Sequence, residues 1–514
     1  MTVTSFVFFL LLLLGGVVYY TVPRKIQWVI LLVISVVFYL SAATPYTIVY
    51  LILSTLLAYV STNLMRNEHL TDSHKKVIGA VTFLAIFSNI CIWFVLKGSS
   101  FWVVGSKAIH YVLPVFPILP LWKHASAIGM GYYTAQIIGY ILDCYWGNSE
   151  PQKNPLKLFL FVCFFPQLTV GPISRYPQLQ ILYEKHKFSY QNICFGCQRI
   201  LWGVFKKLVI SDRVGIIVNA IWADTKTYTG FWPWIAVLLY PLQIYTDFSG
   251  CVDIILGAAE IFDIKLPENF KNPFFSRTCQ EFWQRWHITL GTWAKDYVYY
   301  PVLKSTPIIN IGKWARKHFS KRIAKLIPWT IGMGILWFVM GVWHGSMQHI
   351  FGVSLWFWMI LVMGEIFSPL LKKCVEVLRI DTASFSWHLF QSVKTYSIYA
   401  LGAVFFSASR LRVAVNHYNV LWTGLKNLNP WIFFDGGVLK LGVTWVDINL
   451  IVFGIICLFC VANLREKYGY ARAWMQKQIL PFRWFIWIAL FFIVLIYGLY
   501  GPSYDASEFI YQGF

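Results

Sequence analysis

Two histidines stand among apolar and aromatic neighbours. His287 closes the string Phe282-Trp283-Gln284-Arg285-Trp286-His287, and His344 sits in Gly341-Val342-Trp343-His344-Gly345. Holding an ionisable group at or near membrane depth costs roughly 2.5 kcal/mol or more, and such groups usually mark a pathway or chemistry. Neutral imidazole, with a reference pKa of about 6.5, can take a proton from a hydroxyl and hand it on. Around His287 lie Trp283, Arg285, Trp286, Trp293 and Asp296. The planar fork of Arg285 could bind donor phosphates or a carbonyl, or it could be held by Asp296 or another acid as a structural pair.

Other polar residues point less clearly to chemistry. Asp247 and Asp253 suggest general acid/base carboxylates, but a separation of six does not place both on one helical face, so they are expected to brace helix contacts. His349 follows His344 at a spacing that neither shares a face nor completes a ligand set, and no metal site is expected. Ten cysteines are scattered through apolar segments. The pairs Cys194/Cys197 and Cys457/Cys460 lie far apart in hydrophobic stretches, which favours small buried side chains over zinc.

The elements that must carry these residues follow from composition. With 58% apolar and only 13% charged residues, the chain reads as an all-α polytopic membrane protein. Runs near the ~20 residues needed to cross the hydrocarbon include Ser5 to Tyr20, Ile26 to Ala43, Tyr46 to Leu64, Val77 to Leu96, Trp329 to Trp343, Phe351 to Met363, Val446 to Ala462 and Trp484 to Tyr500. Roughly 11–13 spans are expected, with re-entrant or interfacial helices around a central cavity. The first run lacks a preceding basic residue and a small-residue cleavage site, so it reads as a retained anchor.

The formal charge of +21 does not imply nucleic acid, because the basic residues fall in short loops and follow the positive-inside pattern. Arg24 and Lys25 follow the first run, and Arg66, Lys75 and Lys76 follow the third. Thr44-Pro45 and Lys97 follow the second and fourth, which puts the N terminus outside. The segment from Lys304 to Lys325 holds seven Lys or Arg residues and no acid. It suits a cytoplasmic surface facing anionic membrane lipid, with a secondary role in attracting an acidic carrier or nucleotide-bearing donor.

No internal repeat or low-complexity linker divides residues 1–514, so one domain is expected. Residues 1–100 read as N-terminal hairpins, 122–372 as the catalytic core, and 482–514 as an extra C-terminal span with its tail. In the core, apolar stretches alternate with polar turns, and irregular backbone at membrane depth is tolerated where it is buried in protein or lines a cavity.

Within that core the wording becomes specific. Gly129-Met130-Gly131-Tyr132-Tyr133-Thr134-Ala135-Gln136, Phe164-Phe165-Pro166-Gln167-Leu168-Thr169-Val170-Gly171-Pro172-Ile173, Gly203-Val204-Phe205-Lys206-Lys207-Leu208-Val209-Ile210-Ser211-Asp212-Arg213 and Gln243-Ile244-Tyr245-Thr246-Asp247-Phe248-Ser249-Gly250 occur in order. Pro267-Glu268-Asn269-Phe270, the His287 string and Trp343-His344-Gly345 complete the set. This ordered set resembles the membrane-bound O-acyltransferase (MBOAT) family. Within it, the likeness is to the bacterial alginate, peptidoglycan and cellulose O-acetylation branch, with the teichoic-acid D-alanylation membrane protein as a cousin. The sequence departs from the family at Tyr299-Tyr300-Pro301-Val302-Leu303-Lys304, which lacks the glycines usual there, so the following loop is expected to differ.

The resemblance implies the MBOAT fold and transfer of an acyl group, acetyl first, from a thioester made in the cytosol. The donor would be acetyl-CoA or a thioester on an acyl carrier protein. Its destination would be an exported cell-wall or extracellular polysaccharide. His344 matches the family's catalytic histidine, implying a general base, and His287 a second position that orients or shares the proton. Trp283, Arg285, Trp286, Trp343 and Asp296 become candidates for the substrate or donor tunnel. An extracytoplasmic SGNH-like acyltransferase or esterase partner is implied, as is residence in a bacterial cytoplasmic membrane with both termini outside.

The chain ends Phe509-Ile510-Tyr511-Gln512-Gly513-Phe514, which is similar to the C-terminal motif of the small single-span protein of the D-alanylation system. Tyr511 is thereby a candidate acyl relay, and an interfacial aromatic anchor is the alternative. The competing function is a transporter or polymer-export channel, which often shows paired broken helices in two related halves; none is visible. A scaffold that recruits secreted enzymes is a third reading.

Overall fold

The computed structural model describes residues 1–65, 72–97 and 128–501. Tyr511 and the aromatic ending lie outside the described residues, as does Arg66. Among the described residues the regular structure is helical, and eight helical segments are long and apolar enough to cross a membrane: Arg24–Ala42, Pro45–Leu64, Lys76–Trp93, Trp232–Ile261, Lys321–His344, Gln348–Val377, Trp445–Tyr468 and Leu480–Tyr497. Phe6–Thr21 is a shorter apolar helix. The all-α polytopic expectation holds. Trp232–Ile261 carries Gln243, Thr246, Asp247, Ser249 and Asp253, and this polar content hides its length as a span.

Helices are numbered α1 (Phe6–Thr21), α2 (Gln27–Ala42), α3 (Ile48–Leu64), α4 (Asp72–Lys97), α5 (Met130–Tyr145), α6 (Pro155–Cys163), α7 (Tyr190–Val204), α8 (Asp212–Ala223), α9 (Trp232–Ile261), α10 (Cys279–Arg285), α11 (Ile288–Ala294), α12 (Thr306–His318), α13 (Lys321–His344), α14 (Leu355–Val377), α15 (Phe385–Ser407), α16 (Leu411–Gly424), α17 (Trp445–Tyr468) and α18 (Leu480–Tyr497). The chain forms two compact units. Among the described residues, one comprises those up to Val204 together with Gly250–Pro267; the other comprises Phe205–Ser249 and residues 268–501.

In the first unit, local chemistry starts and breaks the helices. Ser5 caps α1 by accepting the Phe8 N–H at 3.3 Å, and Asn154 caps α6 ahead of Pro155 by accepting the Leu156 N–H. The chain breaks at Phe164, and there the Ser35 hydroxyl accepts the Phe165 N–H at 3.1 Å inside the core. Gln27 likewise spans a buried loop, donating to the carbonyl of His186 at 3.2 Å and accepting its N–H at 2.9 Å. Such partners allow irregular backbone to be buried without water. Phe8, Phe38, Phe165 and Phe262 meet edge to face or tilted around the break.

Glycines set the crossing of α7 with residues 250–261 of α9. A Cβ on Gly203 would lie 2.8 Å from the Ile254 nitrogen, and one on Gly257 would lie 2.5 Å from the Gly196 carbonyl oxygen. Arg199 pairs with Asp253 at 2.9 Å in the same crossing. The backbones can approach this closely only because hydrogen replaces a side chain, as in many intramembrane helix contacts.

The second unit holds both histidines. It begins with a wide π-helical turn, Phe205–Ser211, whose lysines point inward. Lys207 bridges Asp212 at 2.8 Å and Asp247 at 2.6 Å, while Lys206 donates to Ser249 at 2.8 Å. Arg213 pairs with Asp447 at 2.9 Å, beside a capping box between Thr444 and Asp447 that starts α17. Asp247 and Asp253 therefore brace helix contacts.

Candidate active site

The Trp-Gln-Arg-Trp-His string falls on a break between two seven-residue helices. Thr278 caps α10 by accepting the Glu281 N–H at 3.1 Å. The chain then extends through Trp286 and turns at His287, whose φ of 46° is left-handed. Few non-glycine residues adopt this conformation, and it persists only when the surroundings enforce it.

That enforcement comes from the Pro267-Glu268-Asn269-Phe270 segment. Phe270 and Trp286 form an antiparallel bridge. Lys271 donates its N–H to the Arg285 carbonyl at 2.9 Å, and Ile288 donates to the Asn269 carbonyl at 3.0 Å. The Asn269 side chain enters between them: its Oδ1 lies 3.1 Å from His287 Nδ1, 3.1 Å from the Thr289 backbone nitrogen and 2.9 Å from the Thr289 hydroxyl. His287 is buried and its ring meets the edge of Phe248 at 4.9 Å.

His344 is the last residue of α13. Gly345 follows at φ 80° and donates its N–H to the Val342 carbonyl at 2.9 Å, closing the helix with a left-handed cap. This accounts for the glycine of the Trp-His-Gly triplet. Because the chain reverses its twist there, His349 returns over His344, and the two rings stack 5.1 Å apart at 19°. The edge of Phe406 closes over both, and Ser346 contacts His349. Reading one continuous helix from the sequence separates these two histidines; the glycine cap brings them together.

Trp343 connects the two histidines, its ring centroid 6.2 Å from that of His287 and 4.9 Å from that of His344. Behind the His287 string, Trp283 meets Trp337 at 4.9 Å and Phe357 at 4.7 Å. Trp286 meets Tyr399 at 5.2 Å. The π-helical stretch Gln348–Ser354 packs close to α13: a Cβ on Gly341 would lie 2.8 Å from the Ile350 Cα and 3.0 Å from the His349 carbonyl oxygen.

The charged candidates lie elsewhere. Arg285 pairs with Glu281 at 2.9 Å and with Glu466 at 2.7 Å, and Asn272 also donates to Glu466 at 2.9 Å. Its acid partners are therefore these two rather than Asp296, which is exposed on the wide turn Lys295–Tyr299. Among the described residues no group of three or more His, Cys, Asp or Glu side chains could hold a metal ion.

Asn269, Thr289, Tyr399 and Phe406 carry no titratable signal at neutral pH, so sequence reasoning assigned them no role. Asn269 did stand in one of the ordered strings. Another buried histidine, His417, stacks on Trp222 with ring centroids 3.9 Å apart, away from any motif.

The family model described as MBOAT, membrane-bound O-acyltransferase family, matches residues 62–368, a stretch that contains both site histidines. The chain is 26% identical over 461 residues to the probable alginate O-acetylase AlgI of Azotobacter vinelandii, covering 90% of this chain and 84% of that one. It is 27% identical to the peptidoglycan O-acetyltransferase of Helicobacter pylori, over 52% of this chain and 50% of the relative. Identity to the teichoic acid D-alanyltransferase of Bacillus subtilis is 28%, over 48% and 64% respectively.

Proposed function

This chain belongs to the membrane-bound O-acyltransferase family, and from that membership we propose that it moves an acetyl group from a cytosolic thioester to a hydroxyl on the outer face, for O-acylation of an exported cell-wall or extracellular polysaccharide. The names of its alginate and peptidoglycan relatives support acetyl as the unit and a polysaccharide as the destination. The donor is acetyl-CoA or an acyl carrier protein thioester. Residues 1–514 act as one catalytic domain in a bacterial cytoplasmic membrane, with both termini outside.

The reaction exchanges a carbon–sulfur bond for a carbon–oxygen bond. The acceptor oxygen attacks the thioester carbonyl carbon while an imidazole nitrogen takes its proton. The tetrahedral intermediate then collapses, the C–S bond breaks, and the thiolate leaves with the proton returned. His344 is the general base, and His287 shares or orients the proton. Trp283, Trp286 and Trp343 keep water, a competing nucleophile, away from the thioester, while Arg285 is held as a structural pair by Glu281 and Glu466. What chiefly supports this reading is Trp343, whose ring is close to both imidazoles. Tyr511 is a first acceptor on the outer face, from which an SGNH-like partner passes the acyl group to the polymer.

Membranes carrying His344→Ala at the wild-type protein level, supplied with radiolabelled acetyl thioester, should label polymer at most about a hundredth as fast as wild type. Undiminished transfer would remove the general base from His344. During turnover, intact-mass measurement of the C-terminal peptide should show an acetyl group on Tyr511. An unmodified peptide with Tyr511→Phe fully active would make the tail an anchor.

A further inference from the structure

We propose that Asn269 is a positioning residue whose side-chain carbonyl holds the His287 proton on Nδ1 and so presents Nε2 as the atom that exchanges a proton during acyl transfer. The proposal rests on the reading of His287 as a participant in that reaction.

The orientation of the amide decides the matter. The backbone nitrogen of Thr289, 3.1 Å away, can only donate, so the Asn269 atom facing it must be the oxygen. The Thr289 hydroxyl adds a second donor to the same oxygen at 2.9 Å. A flipped amide would set its NH2 against the Thr289 N–H, donor against donor, and lose that bond. An amide oxygen accepts and never donates, so His287 Nδ1, 3.1 Å from it, carries the hydrogen. Burial pulls the imidazole pKa down to about 3, so at neutral pH the ring holds a single proton. With that proton on Nδ1, the lone pair is on Nε2.

The arrangement is also held in place. Asn269 is fully buried, and its own carbonyl accepts the Ile288 N–H at 3.0 Å, so the residue grips the backbone on both sides of the left-handed turn at His287. Its Nδ2 is buried and has no hydrogen-bond partner among the described residues, so the side chain is oriented through its oxygen. A residue serving only to pin the turn could do so with its main-chain carbonyl. The side-chain oxygen adds control over which imidazole nitrogen is protonated.

The full chain, labelled with 15N-histidine and reconstituted in lipid bilayers, reports the tautomer by solid-state NMR, with His287→Gln identifying the resonance. Wild type and Asn269→Asp, which keeps an acceptor oxygen, should both show the proton on Nδ1. Asn269→Leu should show a tautomer mixture and a kcat lower by on the order of 10²-fold or more, with donor KM unchanged. Asn269→Asp should restore kcat to within about tenfold of wild type. Wild-type His287 protonated on Nε2, or Asn269→Leu with wild-type tautomer and kcat, would overturn the proposal. The wild-type tautomer, assigned with His287→Gln, does not depend on Asn269→Leu, so the test stands even if Asn269→Leu fails to fold. If instead the tautomer is as described and His287→Gln transfers acyl groups at the wild-type rate, the role of His287 fails and the tautomer assignment survives.

Discussion

Gly341 offers the sharpest test of how the fold sets the chemistry. It lies one turn before His344 on α13, and a Cβ there would sit 2.8 Å from the Ile350 Cα and 3.0 Å from the His349 carbonyl oxygen. Carbon atoms rest comfortably about 3.5–4.0 Å apart, so Gly341→Ala must push the end of α13 away from residues 348–354 by roughly 0.7–1.2 Å. Overpacking of this kind costs about 1–3 kcal/mol, partly offset by the roughly 0.5–1 kcal/mol that alanine gains over glycine within a helix. Stability should therefore fall only modestly. A displacement of about 1 Å in a reacting constellation can lower the rate about 100-fold, so kcat for acyl transfer should drop by one to two orders of magnitude, with the protein still folded in detergent. Gly364→Ala is the control, since nothing lies within 4 Å of its added Cβ; it should keep wild-type kcat and gain slightly in thermal stability. Wild-type kcat in purified Gly341→Ala would show that catalysis does not depend on where this contact holds His344.

Three further perturbations probe other parts of the chain. Gly257→Val places a branched side chain where the Gly196 carbonyl oxygen lies 2.5 Å from the Cβ position, and a thermal-unfolding measurement should show a loss of about 1–3 kcal/mol or more; an unchanged transition would mean that the helices do not cross at this glycine pair. Arg285→Ala removes pairs with Glu281 and Glu466 that are partly exposed, so stability should fall by about 1 kcal/mol or less with donor KM unchanged, whereas a tenfold rise in KM would mean that the guanidinium contacts the donor. Burial holds the His287 imidazole at about 3 and that of His417 at about 4, both below the ordinary imidazole value of 6.5. The unfolded chain therefore binds protons that the folded chain refuses, and stability should decline as pH falls from 6.5 toward those values. His287→Gln should flatten that decline in an acid-unfolding series, and an unchanged pH dependence would contradict the buried neutral imidazole.

Much of the site was legible before any fold was known, for particular reasons. The Trp-Gln-Arg-Trp-His and Trp-His-Gly strings are short, and their residue types are costly in an apolar setting, so they stand out. Asp247 and Asp253 were legible as braces because their spacing denies them a common face, and the ion pairs to Lys207 and Arg199 agree. The partners were not legible: Glu466 meets Arg285 from 181 residues away, and no local pattern encodes such a pair. Asn269 was hidden for a different reason. It does not titrate, and its importance lies in the direction of one carbonyl oxygen.

Composition, the lengths of the apolar runs and the order of the motifs depend on each residue's own transfer energy and its near neighbours. The sequence by itself therefore determined the all-α membrane class and put two histidines at issue, and its ordered motifs carried the resemblance to the acyltransferase family. Tertiary structure alone decided that His349 stacks on His344, because a left-handed glycine interrupts the helical phase between them. It likewise decided which acids hold Arg285 and which nitrogen of His287 carries the proton. Those outcomes are set by hydrogen-bond directions and ring contacts between distant segments, which exist only after the chain has packed.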